Sequence, residues 1–420
     1  MRFGIEHTMK IGVIGSGVSG LVSAHLLSRS HDVTIFESDQ RIGGHVNTIA
    51  VDTADGVVHV DTGFIVFNEK NYPLFSKLLK ELGVDSQSSR MSFSVKDERH
   101  GIEFSGSNLA TLFAKKGTFG RLDHWRMLKD VHRFIGAVGD IAEGDPSITI
   151  SQMASEMGLS DEFLERFLSP LGCALWSCPH GAFLEYPARF VAEFMRNHQL
   201  IDYRGRPEWR TLVGGSNRYV QALVSALKAE VKVSCGVDRI RRSQSQIFVE
   251  AGGVTLGFDE IVVAAHADTA LGFLHEPSCA EIELLGAFPF QKNEAILHTD
   301  VSVLPENRKA WSSWNYRVPR EELSAATVTY NMNILQSLAT EETYLVSLNE
   351  SAELDRSRIL ARFDYDHPIS TVEGFAAKKR RSELIRHAGI SYCGAYWGYG
   401  FHEDGVKSAN EVGAAFGEVL

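Results

Sequence analysis

The chain has 420 residues, of which 44% are hydrophobic and 23% are charged. These values are ordinary for a globular protein, and the length predicts two domains. The net charge of −11, from 42 basic and 53 acidic residues, argues against nucleic acid as the main partner, because phosphate backbones are bound by basic patches. The five scattered cysteines, none in CxxC spacing, exclude a disulfide framework and favour a reducing, cytoplasmic compartment.

The predicted secondary structure begins with a strand, a helix and a second strand at 10–14, 18–28 and 32–37, which form a βαβ unit. Apolar residues then recur at helical spacing from about 72 to 202, which predicts a mostly helical insertion. Later apolar runs predict strands at 231–235, 247–251, 260–265, 294–298, 327–331, 343–348 and 390–393. The last strand leads through a glycine- and aromatic-rich turn into a helix from about Val406.

The first glycine-rich turn carries the strongest functional signal. Gly15, Gly17 and Gly20 follow the first strand and open the first helix, and Glu37 ends the second strand. This is the context of a dinucleotide-binding fingerprint, in which glycines let the backbone approach a pyrophosphate and a carboxylate binds ribose hydroxyls. The alternative is a glycine-rich turn that binds nothing. The predicted contacts here are Gly15, Ser16, Gly17, Val18, Ser19, Gly20, Glu37 and Ser38.

Three further segments have glycines where backbone could run against the same ligand: 41–44 (RIGG), 61–63 (DTG) and 394–405. Plain turns are the alternative for the first two. In the third, Glu403 and Asp404 lie where the final helix starts, and such a terminus stabilises negative charge. No metal site is expected there, because adjacent residues rarely converge on one ion. A single GxGxxG motif predicts one bound dinucleotide and electrons supplied by the substrate.

The combination of GSGVSG at 15–20, Glu37, RIGG and the late strand with its EDG-containing helix resembles the flavin-containing amine oxidase superfamily. Over nearly the whole chain, the sequence is similar to predicted FAD/NAD-binding proteins associated with cyclopropane fatty acid synthases. The segments that carry this closer resemblance are Trp176-Ser177, Tyr186-Pro187, Asn197-His198, Gly214-Gly215-Ser216, WSSWNY at 311–316, TYNMNILQ at 329–336, His367-Pro368 and CGAYWGYGFHEDG at 393–405.

The resemblance implies an α/β fold: a Rossmann-type, glutathione reductase-like FAD-binding domain with an inserted α+β substrate domain, in an amine oxidase-like architecture. The FAD-binding domain would comprise 1–70, 205–280 and 385–420, and the substrate domain 71–204 and 281–384. FAD is the implied cofactor, with Val233 near its adenine and the final helix at the pyrimidine end of the flavin. The residues that the resemblance places along FAD are Arg41, Gly43, Gly44, Gly63, Val233, Gly394, Glu403, Asp404 and Gly405.

The sequence also departs from the amine oxidase pattern. Ala395 stands where a polar residue is frequent, Lys292 is only roughly where a lysine would approach flavin N5, and Phe401 replaces one of the paired tyrosines that flank an amine. These departures favour an apolar, lipid or fatty-acyl substrate, oxidised or reduced at C–H or C–C bonds by hydride transfer to or from flavin N5. An amine oxidase that releases hydrogen peroxide and a redox-neutral flavin isomerase stay open as alternatives.

The remaining hypotheses concern proton transfer, the substrate channel and partners. His402 and Tyr399 are candidates for proton transfer. Phe163, Phe190 and Phe194 would line an acyl tunnel or, as ordinary helical core residues do, pack together. The basic run at 378–381 would be a solvated helix face or a peripheral membrane contact. A cyclopropane synthase-like lipid-modifying enzyme is a further hypothetical partner.

Overall fold

A five-stranded parallel sheet lies at the centre of the dinucleotide-binding part of the computed structural model, which describes residues 8–54, 56–200, 205–320, 325–350 and 352–420. We call it the dinucleotide sheet. Its strands, in spatial order, are Glu230–Lys232, Asp32–Phe36, Lys10–Ile14, Glu260–Val263 and Ile390–Tyr392. Consecutive buried residues face opposite sides of this sheet: Val13 belongs to one hydrophobic cluster and Ile14 to another. Both faces are therefore covered, which explains the continuous apolar runs.

One face of the dinucleotide sheet is covered by helices from three distant parts of the chain. They are Val18–Leu27, Pro73–Leu82, Asn217–Ala226 and His402–Ala414. The other face packs against a three-stranded antiparallel meander and two short helices, which are Val237–Arg242, Ile247–Ala251, Val254–Phe258, Ala267–Phe273 and Cys279–Leu285. The strand predicted at 231–235 is shorter than expected, since the backbone leaves it at Ser234, which has a φ of 50°.

A mixed seven-stranded sheet, which we call the substrate sheet, forms the second large layer. Its strands, in spatial order, are Ile359–Pro368, Phe290–His298, Leu345–Leu348, Val328–Asn331, Trp314–Val318, Phe93–Asp97 and Ile102–Ser105. The last two correct the prediction of a mostly helical segment from 72 to 202, because that segment also contributes strands to this sheet. Smaller sheets are formed by Thr48–Thr53 with Gly56–Asp61, and by Val66–Phe67, Trp209–Leu212 and Ser86–Ser89.

The rest of the segment from 72 to 202 is helical, as predicted. Its helices are Leu109–Leu112, Leu122–Glu143, Ile150–Met157, Asp161–Phe163, a π-helical turn at Leu164–Leu168, Ser169–Trp176, His180–Leu184 and Ala188–Asn197. Phe163 is fully buried, and Phe190 and Phe194 are each 2% exposed, all within one hydrophobic cluster. These side chains therefore pack as core residues and do not line an open acyl tunnel.

Short helices complete the described structure. They are Met332–Leu335 and Val372–Ala377 and the 3₁₀ turns Thr118–Gly120, Val301–Val303, Arg308–Ala310, Arg356–Arg358, Lys378–Leu384 and Ala395–Trp397. Among the described residues, no helix has both the length and the apolar character needed to cross a bilayer. The predicted domain boundaries stay a prediction. The strands of the dinucleotide sheet come from three separated stretches of the chain, and those of the substrate sheet from two.

Candidate functional site

The glycine turn leaves an open space at the start of the first helix. Gly15 has a φ of +98° and donates its N–H to the carbonyl oxygen of Phe36 at 2.8 Å. A Cβ atom on Gly20 would lie 2.0 Å from the carbonyl oxygen of Gly15, whereas a Cβ on Gly17 would meet no atom within 4 Å. Packing therefore requires Gly20, while the space beside Gly17 is free for a ligand at the helix N-terminus, where Val18 begins the helix.

Glu37 is fixed beside this turn. Its Oε2 accepts hydrogen bonds from the backbone N–H and the hydroxyl of Ser16 at 2.9 and 2.6 Å. Its Oε1 accepts from the hydroxyl of Ser38 and the N–H of Asp39 at 3.2 and 2.9 Å. Glu37 donates its N–H to the carbonyl oxygen of Lys232, the last residue of the neighbouring strand, at 2.8 Å. Val233 follows Lys232 and is 41% exposed. The buried carboxylate of Glu37 and the exposed side chain of Val233 thus lie at the same edge of the sheet, where the adenosine half was predicted.

The RIGG segment packs directly on the glycine turn. Arg41 donates from both terminal nitrogens to carbonyl oxygens of its own loop at 2.6 and 2.8 Å. Gly43 donates its N–H to the carbonyl oxygen of Ser16 at 3.1 Å. A Cβ on Gly44, which has a φ of +58°, would lie 3.0 Å from Cα of Gly17. The two glycine segments therefore form one continuous backbone surface, and the guanidinium of Arg41 braces it.

The DTG segment ties this surface to the rest of the molecule. A Cβ on Gly63 would lie 1.9 Å from the carbonyl oxygen of His45, so only glycine fits there. The fully buried carboxylate of Asp61 accepts hydrogen bonds from Thr48, Ser216 and Gln336. Burial raises the pKa of Asp61 to about 6, and the hydrogen bonds from Thr48 and Ser216 oppose this rise. The sequence of the DTG segment alone is compatible with a plain turn. In the structure, Asp61 joins this segment to Thr48, and also to Ser216 and Gln336, which come from distant parts of the chain.

The final helix brings its N-terminus to the same place. A Cβ on Gly405 would lie 2.7 Å from Cγ1 of Val18 and 3.0 Å from Oγ of Ser19. Gly394, at the end of the last strand, donates its N–H to the hydroxyl of Ser408 at 2.9 Å. The N-termini of the first and last helices thus lie side by side, and both can offer backbone N–H groups to an anionic ligand.

The final helix also begins four residues earlier than predicted, at His402. Asp404 causes this, since its carboxylate accepts the N–H groups of Tyr399 and Phe401 at 2.9 and 3.0 Å. Glu403 accepts the N–H groups of Leu74 and Phe75, at the start of another helix, at 3.0 and 2.9 Å. Both carboxylates therefore hold protein backbone. Glu403 and Asp404 would therefore contact the cofactor, as predicted, through their own backbone N–H groups and not through their side chains.

The two residues predicted to transfer protons have other tasks. His402 stacks on Phe64 at 3.6 Å and hydrogen-bonds through Nε2 to the hydroxyl of Tyr219 at 2.8 Å. Burial lowers the pKa of His402 to about 3, so the ring is neutral and structural. Burial and the nearby carboxylate of Glu193 raise the pKa of Tyr399 above its usual range, so its hydroxyl can donate but does not act as a base. The structure therefore does not favour either residue as the catalytic base.

Replacing His402 with glutamine is expected to reduce the acid sensitivity of folding. In the unfolded chain this imidazole takes up a proton near pH 6.5, but in the folded protein only near pH 3. Between these values the unfolded state binds more protons, so the free energy of unfolding falls as the pH falls. From pH 6 to pH 4, the free energy of unfolding of the wild type should fall by about 1.4 kcal/mol per pH unit more than that of the variant.

Urea unfolding at each pH measures this difference between wild type and His402→Gln. The control is His132→Gln, because His132 is exposed. Equal slopes of the free energy of unfolding against pH in wild type and His402→Gln would contradict the structural role of His402.

Three histidines that the sequence did not single out as site residues meet next to the glycine surface. The ring of His45, which directly follows Gly44, lies 5.9 Å from that of His266 and 5.5 Å from that of His367. Burial is the first cause that lowers the pKa of each, to about 4 for His367, so all three are uncharged at neutral pH. His45 directly follows the RIGG segment, and His266 follows the strand Glu260–Val263. Both therefore lie at the carboxyl edge of a parallel sheet, where ligands bind, and this position in the sequence could have identified them.

Lys292 does not approach this cluster. It is exposed on the strand Phe290–His298, and the alternation of side chains along the strand turns the next residue, Asn293, inward, where it is 1% exposed. Asn293 donates to Nδ1 of His367 at 3.0 Å. An amide and an imidazole therefore occupy the region in which the sequence suggested a lysine.

The residues present fit FAD. The free space beside Gly17, the carboxylate of Glu37 at the adjacent strand end, and two helix N-termini directed at one place suit an adenosine diphosphate group. The histidine cluster lies at the far end of the same surface, beyond Gly44, where the flavin ring would be held. When bound there, FAD supplies a hydride acceptor and donor at flavin N5. Fold and site together define a binding site for FAD.

Comparison with known proteins assigns the family. Residues 18–304 match the flavin containing amine oxidoreductase family, and the chain belongs to it. An L-amino-acid oxidase of Siganus canaliculatus is 23% identical over 322 residues, 70% of this chain and 57% of that protein. The chain spans less than three fifths of the length of such curated relatives.

Solved structures share the fold at low sequence identity. Cyclohexylamine oxidase from Brevibacterium oxydans superposes with a TM-score of 0.69 at 14% identity, over 97% of this chain and 98% of that one. A fatty acid isomerase from P. acnes superposes with a TM-score of 0.68 at 13% identity, over 97% and 98% of the two chains. The amine oxidase-like α/β architecture predicted from the sequence is confirmed.

Proposed function

We propose that the protein is an FAD-dependent oxidoreductase that acts on C–H or C–C bonds of an apolar substrate with an anionic head, of the lipid or fatty-acyl class. The observation that carries this proposal is the ammonium of Lys378, which lies over the ring of Phe190 at an aromatic cluster beside the final helix. The proposal agrees with the resemblance of the sequence to proteins associated with cyclopropane fatty acid synthases. It also fits a contact with a membrane surface or with a lipid-modifying enzyme, where such a substrate would be met.

The aromatic rings form what we call the aromatic cluster, made of Trp176, Phe190, Phe194, Tyr399 and Phe401. Phe194 stacks on Phe401 with ring centroids 4.9 Å apart. The ring of Phe190 lies 5.2 Å from that of Tyr399. Tyr399 and Phe401 belong to the turn that the carboxylate of Asp404 holds at the start of the final helix. Trp176, Phe190 and Phe194 are the buried backing of this cluster. The partly exposed rings of Tyr399 and Phe401 are the apolar surface that would meet a hydrocarbon chain.

Lys378 supplies positive charge at this cluster. Its Nζ lies 4.4 Å from the ring centroid of Phe190. Burial lowers the pKa of Lys378 to about 8, with the carboxylate of Asp404 opposing, so the ammonium is still mostly protonated at pH 7. A partly desolvated cation attracts a carboxylate and repels an ammonium. The carboxylates of Asp404 and Glu193 also lie at this cluster, but Asp404 accepts two backbone N–H groups and Glu193 pairs with Arg189. We therefore expect Lys378 to attract an acyl carboxylate more strongly than these carboxylates attract an amine.

The basic run that contains Lys378 is not one continuous solvated face. Lys378 and Arg381 point inward, and Arg381 donates to the carbonyl oxygen of Ser408 at 2.6 Å. Lys379 and Arg380 are exposed. Lys379 and Lys378 are thus adjacent residues of the same type with opposite environments, and they form a matched pair for a test.

Oleate is expected to bleach the flavin absorption of the purified holoprotein under anaerobic conditions, whereas benzylamine and putrescine should leave it unchanged. Replacing Lys378 with glutamine should raise the KM for oleate about tenfold, equivalent to about 1.4 kcal/mol of lost binding, with kcat little changed. The variant Lys379→Gln should behave as the wild type, because its ammonium is exposed.

Bleaching by amines alone would contradict the proposed substrate class and support an amine oxidase. Conversion of oleate to an isomer without net bleaching would instead support a redox-neutral flavin isomerase. An equal rise in KM for both lysine variants would mean that surface charge, and not the site around Phe190, attracts the substrate.

A further inference from the structure

A chain of amide hydrogen bonds behind His367 determines which nitrogen of its ring carries the proton. The backbone N–H of Glu294 can only donate, and it donates to Oδ1 of Asn349 at 3.0 Å. Nδ2 of Asn349 therefore faces the other way, where it donates to the carbonyl oxygen of Ala326 at 2.9 Å and to Oδ1 of Asn293 at 2.8 Å. The carbonyl oxygen of Ala326 can only accept, which independently supports this orientation of the amide.

The same logic extends one step to the imidazole. Since Oδ1 of Asn293 accepts from Asn349, its Nδ2 faces Nδ1 of His367 at 3.0 Å and the carbonyl oxygen of Gln291 at 3.4 Å. Nδ1 of His367 must therefore accept, and in a neutral ring the proton then lies on Nε2. Among the described residues, no protein acceptor lies within hydrogen-bond distance of that Nε2–H.

His45 lies beside His367, with their ring centroids 5.5 Å apart. Burial lowers the pKa of His45, so its ring is neutral. Its Nε2 is buried without a hydrogen-bond partner among the described residues. A buried ring nitrogen without a partner is a polar atom that a bound ligand would meet.

The first side chain of this hydrogen-bond chain, Asn349, has a left-handed backbone conformation. Asn349 has a φ of 58°, which non-glycine residues adopt only where the surroundings hold them. It directly follows the strand Leu345–Leu348 and bonds to Glu294 of the neighbouring strand through both backbone and side chain. The position of this amide is therefore set by the pairing of two strands of the substrate sheet and not by the flexible side chain alone.

We propose that His367, positioned by Asn293 and Asn349, is a fixed Nε2–H hydrogen-bond donor to the ligand in the flavin site, and that the unpartnered Nε2 of His45 meets the same ligand. The ligand atom that meets His367 is an oxygen or nitrogen acceptor, on either the flavin ring or the substrate. The pair would hold or move a proton at that atom, which is the task for which the sequence suggested His402 and Tyr399. This inference does not depend on whether the substrate is a lipid or an amine.

The tautomer can be measured by ¹⁵N NMR of the holoprotein labelled at histidine, at neutral pH. In the wild type, Nδ1 of His367 should be the unprotonated nitrogen and Nε2 the protonated one. Replacing Asn293 with aspartate leaves only acceptors facing the ring, so Nδ1 should become protonated. Asn349→Asp should give the same result, because Asn293 must then turn its Nδ2 toward the new carboxylate. Asn333→Asp, which makes the same charge change in the short helix Met332–Leu335, should leave His367 unchanged.

The variant His367→Phe identifies the ligand atom, with exposed His275→Phe as the control. A shifted flavin absorption band in the substrate-free His367→Phe holoprotein assigns the acceptor to the flavin ring. An unchanged band with at least a tenfold weaker response to whichever of oleate and benzylamine bleaches the wild type assigns it to the substrate. A wild-type ring protonated at Nδ1, or a His367→Phe variant with neither change, would overturn the proposal.

Discussion

Replacing Gly17 with alanine is expected to yield a folded protein that binds FAD at least about tenfold more weakly, equivalent to about 1.4 kcal/mol. The new methyl group would meet no protein atom within 4 Å, so it would occupy only the space that the pyrophosphate needs. Loss of glycine at the N-cap should cost folding about 1 kcal/mol or less. Titration of the apoprotein with FAD, followed by quenching of flavin fluorescence, measures the affinity.

Alanine substitutions at two other glycines serve as comparisons for the FAD affinity and stability of Gly17→Ala. Gly20→Ala should destabilise the protein itself by about 1–3 kcal/mol, because its Cβ would lie 2.0 Å from a backbone oxygen. Gly272→Ala, at an exposed position of the helix Ala267–Phe273 where the new Cβ again meets nothing within 4 Å, should leave the affinity for FAD unchanged and stabilise the protein by about 0.4–1 kcal/mol. If Gly17→Ala bound FAD as the wild type does, the cofactor would not lie against this turn.

Replacing Asp61 with asparagine is expected to lower the free energy of unfolding by about 3 kcal/mol, which is the cost of buried donors left without an acceptor. The carboxylate receives hydrogen bonds from Thr48 at 2.5 Å, from Ser216 at 2.8 Å and from Gln336 at 3.0 Å. Asparagine would set an N–H₂ group against one of these donors. Because Gln336 comes from the substrate part of the chain, the loss should loosen the junction between the two parts.

Urea unfolding of the apoprotein measures this effect, and Asp52→Asn is the matched control. Asp52 lies in the same two-stranded sheet but is exposed, so its substitution should change stability by less than about 0.5 kcal/mol. Equal stability of Asp61→Asn and the wild type would mean that the three donors find other acceptors.

The elements that the sequence predicts well are those whose signal is local. The strand Lys10–Ile14 and the meander strand Ile247–Ala251 have the predicted bounds, because a continuous apolar run between turn residues requires no distant information. The strands Phe93–Asp97 and Ile102–Ser105 were missed inside a segment with helical spacing. Phe93–Asp97 pairs with Trp314–Val318, more than 200 residues away in the chain, and Ile102–Ser105 joins the sheet by pairing with Phe93–Asp97. The long-range pairing that places this hairpin in the sheet leaves no local pattern.

The same division holds within the site. Gly15, Gly17, Gly20 and Glu37 lie within 23 residues and encode a backbone shape, so the sequence alone predicted a dinucleotide site and the turn at which its adenosine half would lie. The tasks of individual side chains depend on partners brought by the fold. His402 was assigned to chemistry because histidine titrates near neutral pH, but the hydroxyl of Tyr219 and the ring of Phe64 make it structural.

His367 shows the reverse case. Its sequence context is a bare His-Pro pair, and nothing near it indicates function. Only the tertiary structure joins it to Asn293 and Asn349 on one side and to His45 on the other. Hydrogen-bond partners from separate strands fix its tautomer, and burial fixes its charge. The backbone geometry of a turn depends on residues a few positions apart, so a sequence can predict it. The protonation and orientation of a side chain depend on neighbours that are distant in the chain, and only the fold brings these together.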